Sequence, residues 1–270
     1  MFSSLLKLLL HLLLALLLTL LTQIGGLVYL LVIIGIRGKK VEKHLAKKRF
    51  LAFSLCYVIA TFLLVPWLAP KFGRERIQEN EYLEAHSFLY KLANRNYVTP
   101  KLNQALAEIS QNLNAQHSKP KLTYLDANFP FIKGFPLLPH LSHNDGKKID
   151  ICFIYKDVAG KMVNLKPSIS GYGVFEAPKP SEYNQITTCE SKGYWQYSYA
   201  QYLTLGRINK QIEFSTKGTK ALSKSILRQK DIRKIFIEPH LKHRLGLQND
   251  KIRYHGCRAV RHDDHIHIQL

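Results

Sequence analysis

Cysteine is scarce in this chain and badly spaced for a metal knuckle: there are four in 270 residues and no Cys-x-x-Cys pair. Cys56 lies in an apolar run, which leaves Cys152, Cys189 and Cys257 elsewhere. Three is odd, so neither a disulfide framework nor a cysteine-based zinc site is supported. One bridge is open to the chain in an oxidising compartment, Cys189–Cys257 being the first pairing to consider, and the sequence does not decide it. Acidic residues are also few, 19 against 39 Lys and Arg. Residues 1–70 carry eight of the bases against Glu42 alone, so residues 71–270 hold 31 against 18 acids, a surplus of 13. Such a surplus suits an anionic partner, whether nucleic acid, anionic lipid or an acidic cell-wall polymer. No RNA-binding aromatic motif, zinc-finger spacing or basic heptad is present, so no nucleic-acid partner is expected.

Charge is missing from two stretches altogether, or nearly so. Residues 5–36 contain only Lys7, and residues 50–68 contain none. A helix needs about 20 apolar residues to cross a bilayer, so transmembrane helices are expected at about 5–36 and 50–69. Gly25-Gly26 is where the first can break or bend, and Trp67, between Pro66 and Pro70, suits a membrane–water interface. A cleaved signal peptide fits poorly, given the length of the first run and the lack of a small-residue cleavage site. The stretch 37–49 has seven Lys/Arg in 13 residues, and short basic loops stay cytoplasmic. The expected arrangement is a two-pass anchor (residues 1–70) in the inner membrane, with residues 71–270 on the periplasmic or outer side.

Residues 71–119 read as a helical linker. Ile77, Leu83, Phe88, Leu89 and Leu92 sit among charges, which suggests a surface helix over 74–94. Thr99-Pro100 is a helix start, and Leu102, Leu106, Ile109 and Leu113 give that helix one apolar face, ending near Asn114. Residues 120–270 read as one domain. Strands are expected at 121–126, 149–155, 234–238 and 265–270, and helices at 219–228 and 239–245. Residues 156–200 look like a loop-rich insertion. The mixture points to an α+β fold with an antiparallel sheet.

Two segments carry chemistry: Ser142-His143-Asn144-Asp145-Gly146-Lys147-Lys148-Ile149-Asp150, and His262-Asp263-Asp264-His265-Ile266-His267. Imidazole and carboxylate are natural zinc ligands, and a catalytic zinc keeps three protein ligands and one open position. Asp150 falls in an expected strand, with Gly146 allowing a tight turn back to His143. On the last strand His265, His267 and Gln269 share one face while Ile266, Ile268 and Leu270 take the core side. His240, His243 and His255 read as structural or solvated.

In this order the two segments resemble the penicillin-insensitive murein endopeptidases, of the superfamily that includes lysostaphin-type peptidases, D-Ala-D-Ala metallopeptidases and the hedgehog domain. The resemblance covers about residues 120–270, with Ile235-Phe-Ile-Glu-Pro-His-Leu241 similar to the strand–helix segment before the last motif. Residues 158–220 do not align, and the membrane spans depart from the family's secreted members. The resemblance implies zinc held by His143, Asp150 and His267, with His265 and His262 lining the site and assisting catalysis. It further implies hydrolysis of peptide bonds in peptidoglycan stem peptides or crosslinks. His265 would carry the proton, His262 would hydrogen-bond the oxyanion, and Asp263 or Asp264 would orient an imidazole. Arg258 and Arg261 would bind substrate carboxylates, a solvated role for both remaining open. A carboxypeptidase trimming D,D- or L,D-linked termini, or a zinc-binding module without turnover, remains an alternative.

Overall fold

The computed structural model describes residues 2–37 and 44–270. The first apolar run is two helices, α1 (Phe2–Thr22) and α2 (Gly25–Gly35), not the single one expected over 5–36. The break falls at Gln23, in the left-handed region at φ 67°. Thr19 and Thr22 turn their hydroxyls back to the carbonyls of Ala15 and Leu18 at 2.8 and 2.7 Å, and the Gly25 amide donates to the Thr22 hydroxyl at 2.9 Å. A Cβ on Gly26 would stand 2.2 Å from the Ala15 carbonyl oxygen, so only glycine lets α2 fold back against α1. The 11 residues of α2 rise about 16 Å, roughly half of a hydrocarbon core.

The next helix, α3 (Leu45–Ile59), runs on through Phe72 as a π turn at Ala60–Leu64 and shorter helical pieces. The wide turn lies just ahead of Pro66, which cannot donate to the ladder. Two helical stretches, Leu5–Thr22 and Leu45–Phe72, are long and apolar enough to cross a membrane. Much of the expected basic loop, residues 38–43, lies outside the described residues. At its far end Arg49 donates from Nε and Nη2 to the Ile36 carbonyl at 3.1 and 3.0 Å, which caps α2. The helices dock on the body of the protein. Gln23 Oε1 accepts from the Phe131 amide at 2.9 Å, and the Tyr57 hydroxyl donates to the Leu92 carbonyl at 2.7 Å. Ile24, Val28, Tyr57, Val65, Ala69 and Tyr97 close one apolar cluster between them.

The rest of the chain is mixed α and β around a six-stranded sheet. Its strands and neighbouring helices are, in order, β1 (Leu83–Ala85), α4 (Pro100–Gln116), β2 (Leu122–Tyr124), β3 (Lys148–Cys152), α5 (Gln185–Ser191), α6 (Thr216–Leu227), β4 (Lys234–Phe236), α7 (Pro239–Arg244), β5 (Ile252–Arg253) and β6 (His265–Gln269). Across the sheet the order is β5-β4-β6-β3-β2-β1. The four central strands are antiparallel, as expected, but β5 and β1 join the edges in parallel, so the sheet is mixed. Residues 71–119 are no linker. They supply the edge strand β1 and the helix α4, whose Leu102, Leu106, Ile109 and Leu113 are fully buried in the main core with Ile149, Ile151, Ile266 and Ile268. No surface helix spans 74–94; its Leu83 is instead a buried strand residue, and only Phe88–Leu92 is helical. Thr99 stands at the N-cap of α4 in extended backbone, without a capping bond from its hydroxyl.

The core occupies one face of β3 and β6, under α4 and α6. Residues 71–119 are thus part of the same core. A chain starting at residue 120 should lack cooperative unfolding, because the apolar face meant for α4 is uncovered. In the full chain, Leu106→Ala should lower stability by about 2–5 kcal/mol, as for buried leucines generally, measured by denaturant titration in detergent. A cooperatively folded 120–270 fragment would contradict this assignment.

Candidate metal centre

β3 and β6 pair so that His267 lies opposite Asp150, and His265 opposite Cys152. Side chains alternate along each strand, so the isoleucines go into the core while Asp150, His265 and His267 share the other face. His143 reaches the same place from the turn before β3. Arg74, buried just beyond the last apolar helix, donates to the Phe129 and Asn144 carbonyls on either side of that turn. Gly146 takes φ 81° there, with its amide held by Asn128 Oδ1 at 3.0 Å. The His143 Nδ1 lies 2.8 Å from the Ala127 carbonyl, which can only accept, so the ring proton sits on Nδ1 and Nε2 presents its lone pair.

That lone pair faces a converging set. His143 Nε2 stands 3.0 Å from His267 Nδ1 and 3.4 Å from Asp150 Oδ1, and His267 Nδ1 lies 2.8 Å from the same oxygen. His143 and Asp150 are fully buried. His140 closes on the other carboxylate oxygen, with Nδ1 3.3 Å from Asp150 Oδ2. The donor atoms of His140, His143 and Asp150 lie within 4.8 Å of one another, a group that could hold a metal ion. The structure thus offers two triads sharing His143 and Asp150, the third donor being His140 or His267. The Tyr172 hydroxyl donates to Asp150 Oδ2 at 2.8 Å. That bond engages the oxygen nearest His140 and leaves Oδ1, which faces His143 and His267, with less competition.

Burial works against charge at every one of these groups, and the outcome differs among them. Burial raises the Asp150 carboxyl, but His143, His265 and His140 outweigh it and hold the group well below the usual carboxylate range. Burial pulls His267 down to about 4 and takes His140 and His262 well below the ordinary imidazole value. Neutral imidazole is the form that binds metals. His265 goes the other way: burial lowers it, yet the carboxylates of Asp264 and Asp150 raise it to about 9. Its Nδ1 is 2.5 Å from Asp264 Oδ1, and its Nε2, buried and without a hydrogen bond, stands 3.6 Å from Asp150 Oδ1.

His262 is buried beside His265, ring centroids 5.0 Å apart, with its amide held by Glu238 at 3.0 Å. Asp264 orients His265, whereas Asp263 binds Arg261. Arg261 itself is buried, paired with Asp263 through two hydrogen bonds and stacked on Phe175 at 4.0 Å. Its guanidinium is spent inside the fold. Arg258, by contrast, is exposed and lines a cleft of about 1200 Å³ with His140, His262, His265 and His267. His255 also lines that cleft, its ring tilted against Phe236 with centroids 4.4 Å apart, while His240 is buried against the Glu176 carbonyl at 2.8 Å.

No protein-family model matches the chain, and no curated protein does. The cluster therefore has to be read from its own geometry.

His140 and Tyr172 belong to the cluster but carry no motif. Tyr172 had a local signal in Gly171-Tyr172-Gly173. Both glycines have positive φ, and a Cβ on Gly173 would meet the Ala200 carbonyl oxygen at 2.1 Å. The Gly173 amide donates to Asp264 Oδ2 at 2.6 Å, which locks this turn to the His265 carboxylate. Purified full-length chain loaded with zinc should lose its metal in His143→Ala, Asp150→Ala and His267→Ala and keep it in His140→Ala, as read by elemental analysis. Tyr172→Phe should weaken affinity roughly 10–100-fold, the usual effect of removing a partner of a ligand. Metal retained in His267→Ala but lost in His140→Ala would select the other triad.

Proposed function

We propose that the chain is a membrane-anchored zinc metallopeptidase that hydrolyses peptide bonds in peptidoglycan stem peptides or crosslinks. The observation that carries this reading is the donor triangle of His143, Asp150 and His267, with edges of 2.8, 3.0 and 3.4 Å, beside an open cleft. Ligands about 2.0–2.1 Å from a tetrahedral zinc stand about 3.3 Å from one another, so the three atoms need little movement to share an ion. Two nitrogens and a carboxylate oxygen are a donor set that zinc accepts. When bound, zinc would supply Lewis-acid polarisation of the scissile carbonyl and an acidified water.

The chain's own residues supply the rest. His265 is backed by Asp264 and turns its Nε2 toward the donors; the positive charge of a bound zinc would oppose the lift from its carboxylate partners, freeing Nε2 to take a proton from the attacking water and return it to the leaving amine. His262 stands beside it on the cleft wall, within reach of a developing oxyanion. Arg258 is the cleft's exposed guanidinium and suits substrate carboxylates, which stem peptides carry in number. Trp195 and Tyr199 of the insertion, with Leu203 just after it, also line the cleft. A Cys189–Cys257 disulfide ties the insertion to the segment bearing Arg258 and agrees with an oxidising compartment outside the cytoplasm.

Two measurements test this reading. His265→Ala should keep zinc while turnover of peptidoglycan peptides falls about 10²–10⁴-fold, the ordinary contribution of an acid–base group. An inert zinc-binding module would show no hydrolysis to lose in either protein. A reporter fused after Leu270 should be active only if it is one that folds outside the cytoplasm. Activity from a cytoplasm-only reporter at that position would remove both the orientation and the cell-wall substrate.

A further inference from the structure

Three cavities follow one another from the apolar helices to the histidine cluster. The first, about 1060 Å³, is walled by Leu18, Leu21, Tyr57 and Val58 of the helical anchor together with Leu89 and Leu92. The second, about 730 Å³, shares Leu89, Ala93 and Arg95 with the first and adds Ile169 and Leu205. The second in turn shares Pro139, His140, Tyr172 and Leu203 with the catalytic cleft. Leu89, Ile169 and Leu205 are 56%, 43% and 67% exposed, a strip of large apolar side chains with nothing over it. Arg95 does not interrupt the strip with a free charge, because its guanidinium is bound to Asp126 and the Leu138 carbonyl.

We propose that this strip holds the hydrocarbon chain of a substrate that remains in the bilayer, so that the enzyme acts on a lipid-linked peptide with an anionic head rather than on free peptide. The inference rests on the peptidase reading for the chemistry at the head, and on the continuity of the strip with the membrane-length helices for the tail. A solvent-facing peptide would have no use for a path that begins among Leu18, Leu21 and Val58. A lipid tail lying there needs no exit from an apolar environment, while its head passes Pro139 and Leu203 to reach His140 and the donors. The anionic head is indicated by the surplus of 13 basic residues over residues 71–270 and by Arg258 on the cleft. Burying a methylene is worth a factor of about four in binding, so even a few tail carbons on the strip would give substantial selectivity.

The test uses the full chain in nanodiscs of phosphatidylethanolamine and phosphatidylglycerol. In one arm, phosphatidylglycerol with a diazirine at the acyl terminus is photolysed, and labelled residues are mapped by mass spectrometry. Label at Ile169, Leu203 or Leu205 is expected; label confined to residues 5–72 overturns the tail site. In the other arm, one D-amino-acid stem peptide is offered with and without a palmitoyl chain. The palmitoylated form should be cleaved with kcat/KM at least roughly tenfold higher. Ile169→Glu and Leu205→Glu, at exposed positions that tolerate charge, should erase that advantage and leave the free peptide's rate unchanged. Equal cleavage of both peptides would overturn the inference while the peptidase stands. Label on the strip without cleavage of either peptide would instead overturn the peptidase and keep the tail site.

Discussion

A carboxylate with no solvent exposure at the middle of a sheet is the constraint around which this molecule is arranged. Asp150 cannot be buried and ionised without partners, since an unpaired buried charge costs many kcal/mol. Its partners come from four separate parts of the chain. His143 comes from the preceding turn, His140 from the loop before that, Tyr172 from the insertion, and His265 with His267 from the last strand. Each element needs the carboxylate, and the carboxylate needs each of them. The same demand explains why the sheet is apolar on one side only: the face carrying Asp150 has to remain polar for the histidines to reach it.

The partners are themselves held from outside. Arg74 fixes the His143 turn from a position directly after the apolar helices, and Gln23, at the break between α1 and α2, receives the Phe131 amide in the same loop region. The apolar helices are thus tied by hydrogen bonds to the loop region that carries His143. On the other wall, Asp264 holds His265 with one oxygen and the Gly173 amide with the other, so the insertion bearing Tyr172 cannot shift without disturbing His265. Arg244 pairs with both Glu176 and Glu182 at the base of the insertion. At Glu182 the guanidinium outweighs burial and the carboxyl falls to about 2, whereas at Glu176 burial wins and the carboxyl is raised.

The parts of the fold legible in the sequence were those with strong local periodicity. The Leu102, Leu106, Ile109, Leu113 stripe marked α4 to within two residues, and the alternation of His265, Ile266, His267 and Ile268 assigned each side chain to its observed face. The shortfall was in short edge elements. β1 is three residues, Leu-Glu-Ala, beside charged neighbours, and nothing in those residues signals that Leu83 pairs with Leu122 across the sheet. A strand that short takes its identity from its partner, which is why 71–119 reads as a linker. The site divides similarly. His143, Asp150, His265 and His267 stand in compact motifs, whereas His140 and Tyr172 join only through loops whose path is set by tertiary contacts. Arg261 misled because sequence adjacency to the motif says nothing of which way a guanidinium turns, and its neighbour Asp263 claims it.

The donors also lie far apart along the chain: His267 is 117 residues from Asp150 and 124 from His143. A helical pair of histidines four residues apart can hold an ion even when the rest of the protein is open. Here no local segment holds more than part of the set, and the final strand must slot between two others before the triangle exists. Any ion kept by these residues is therefore bound by the native state alone, and its affinity is added in full to the resistance of the central sheet to opening. At a free ion concentration a thousand times the dissociation constant, that increment is about 4 kcal/mol, comparable to a large share of a domain's entire stability. Metal scarcity would then shorten the life of the folded protein, and a chelator in the surroundings would act on its abundance through degradation of the opened chain.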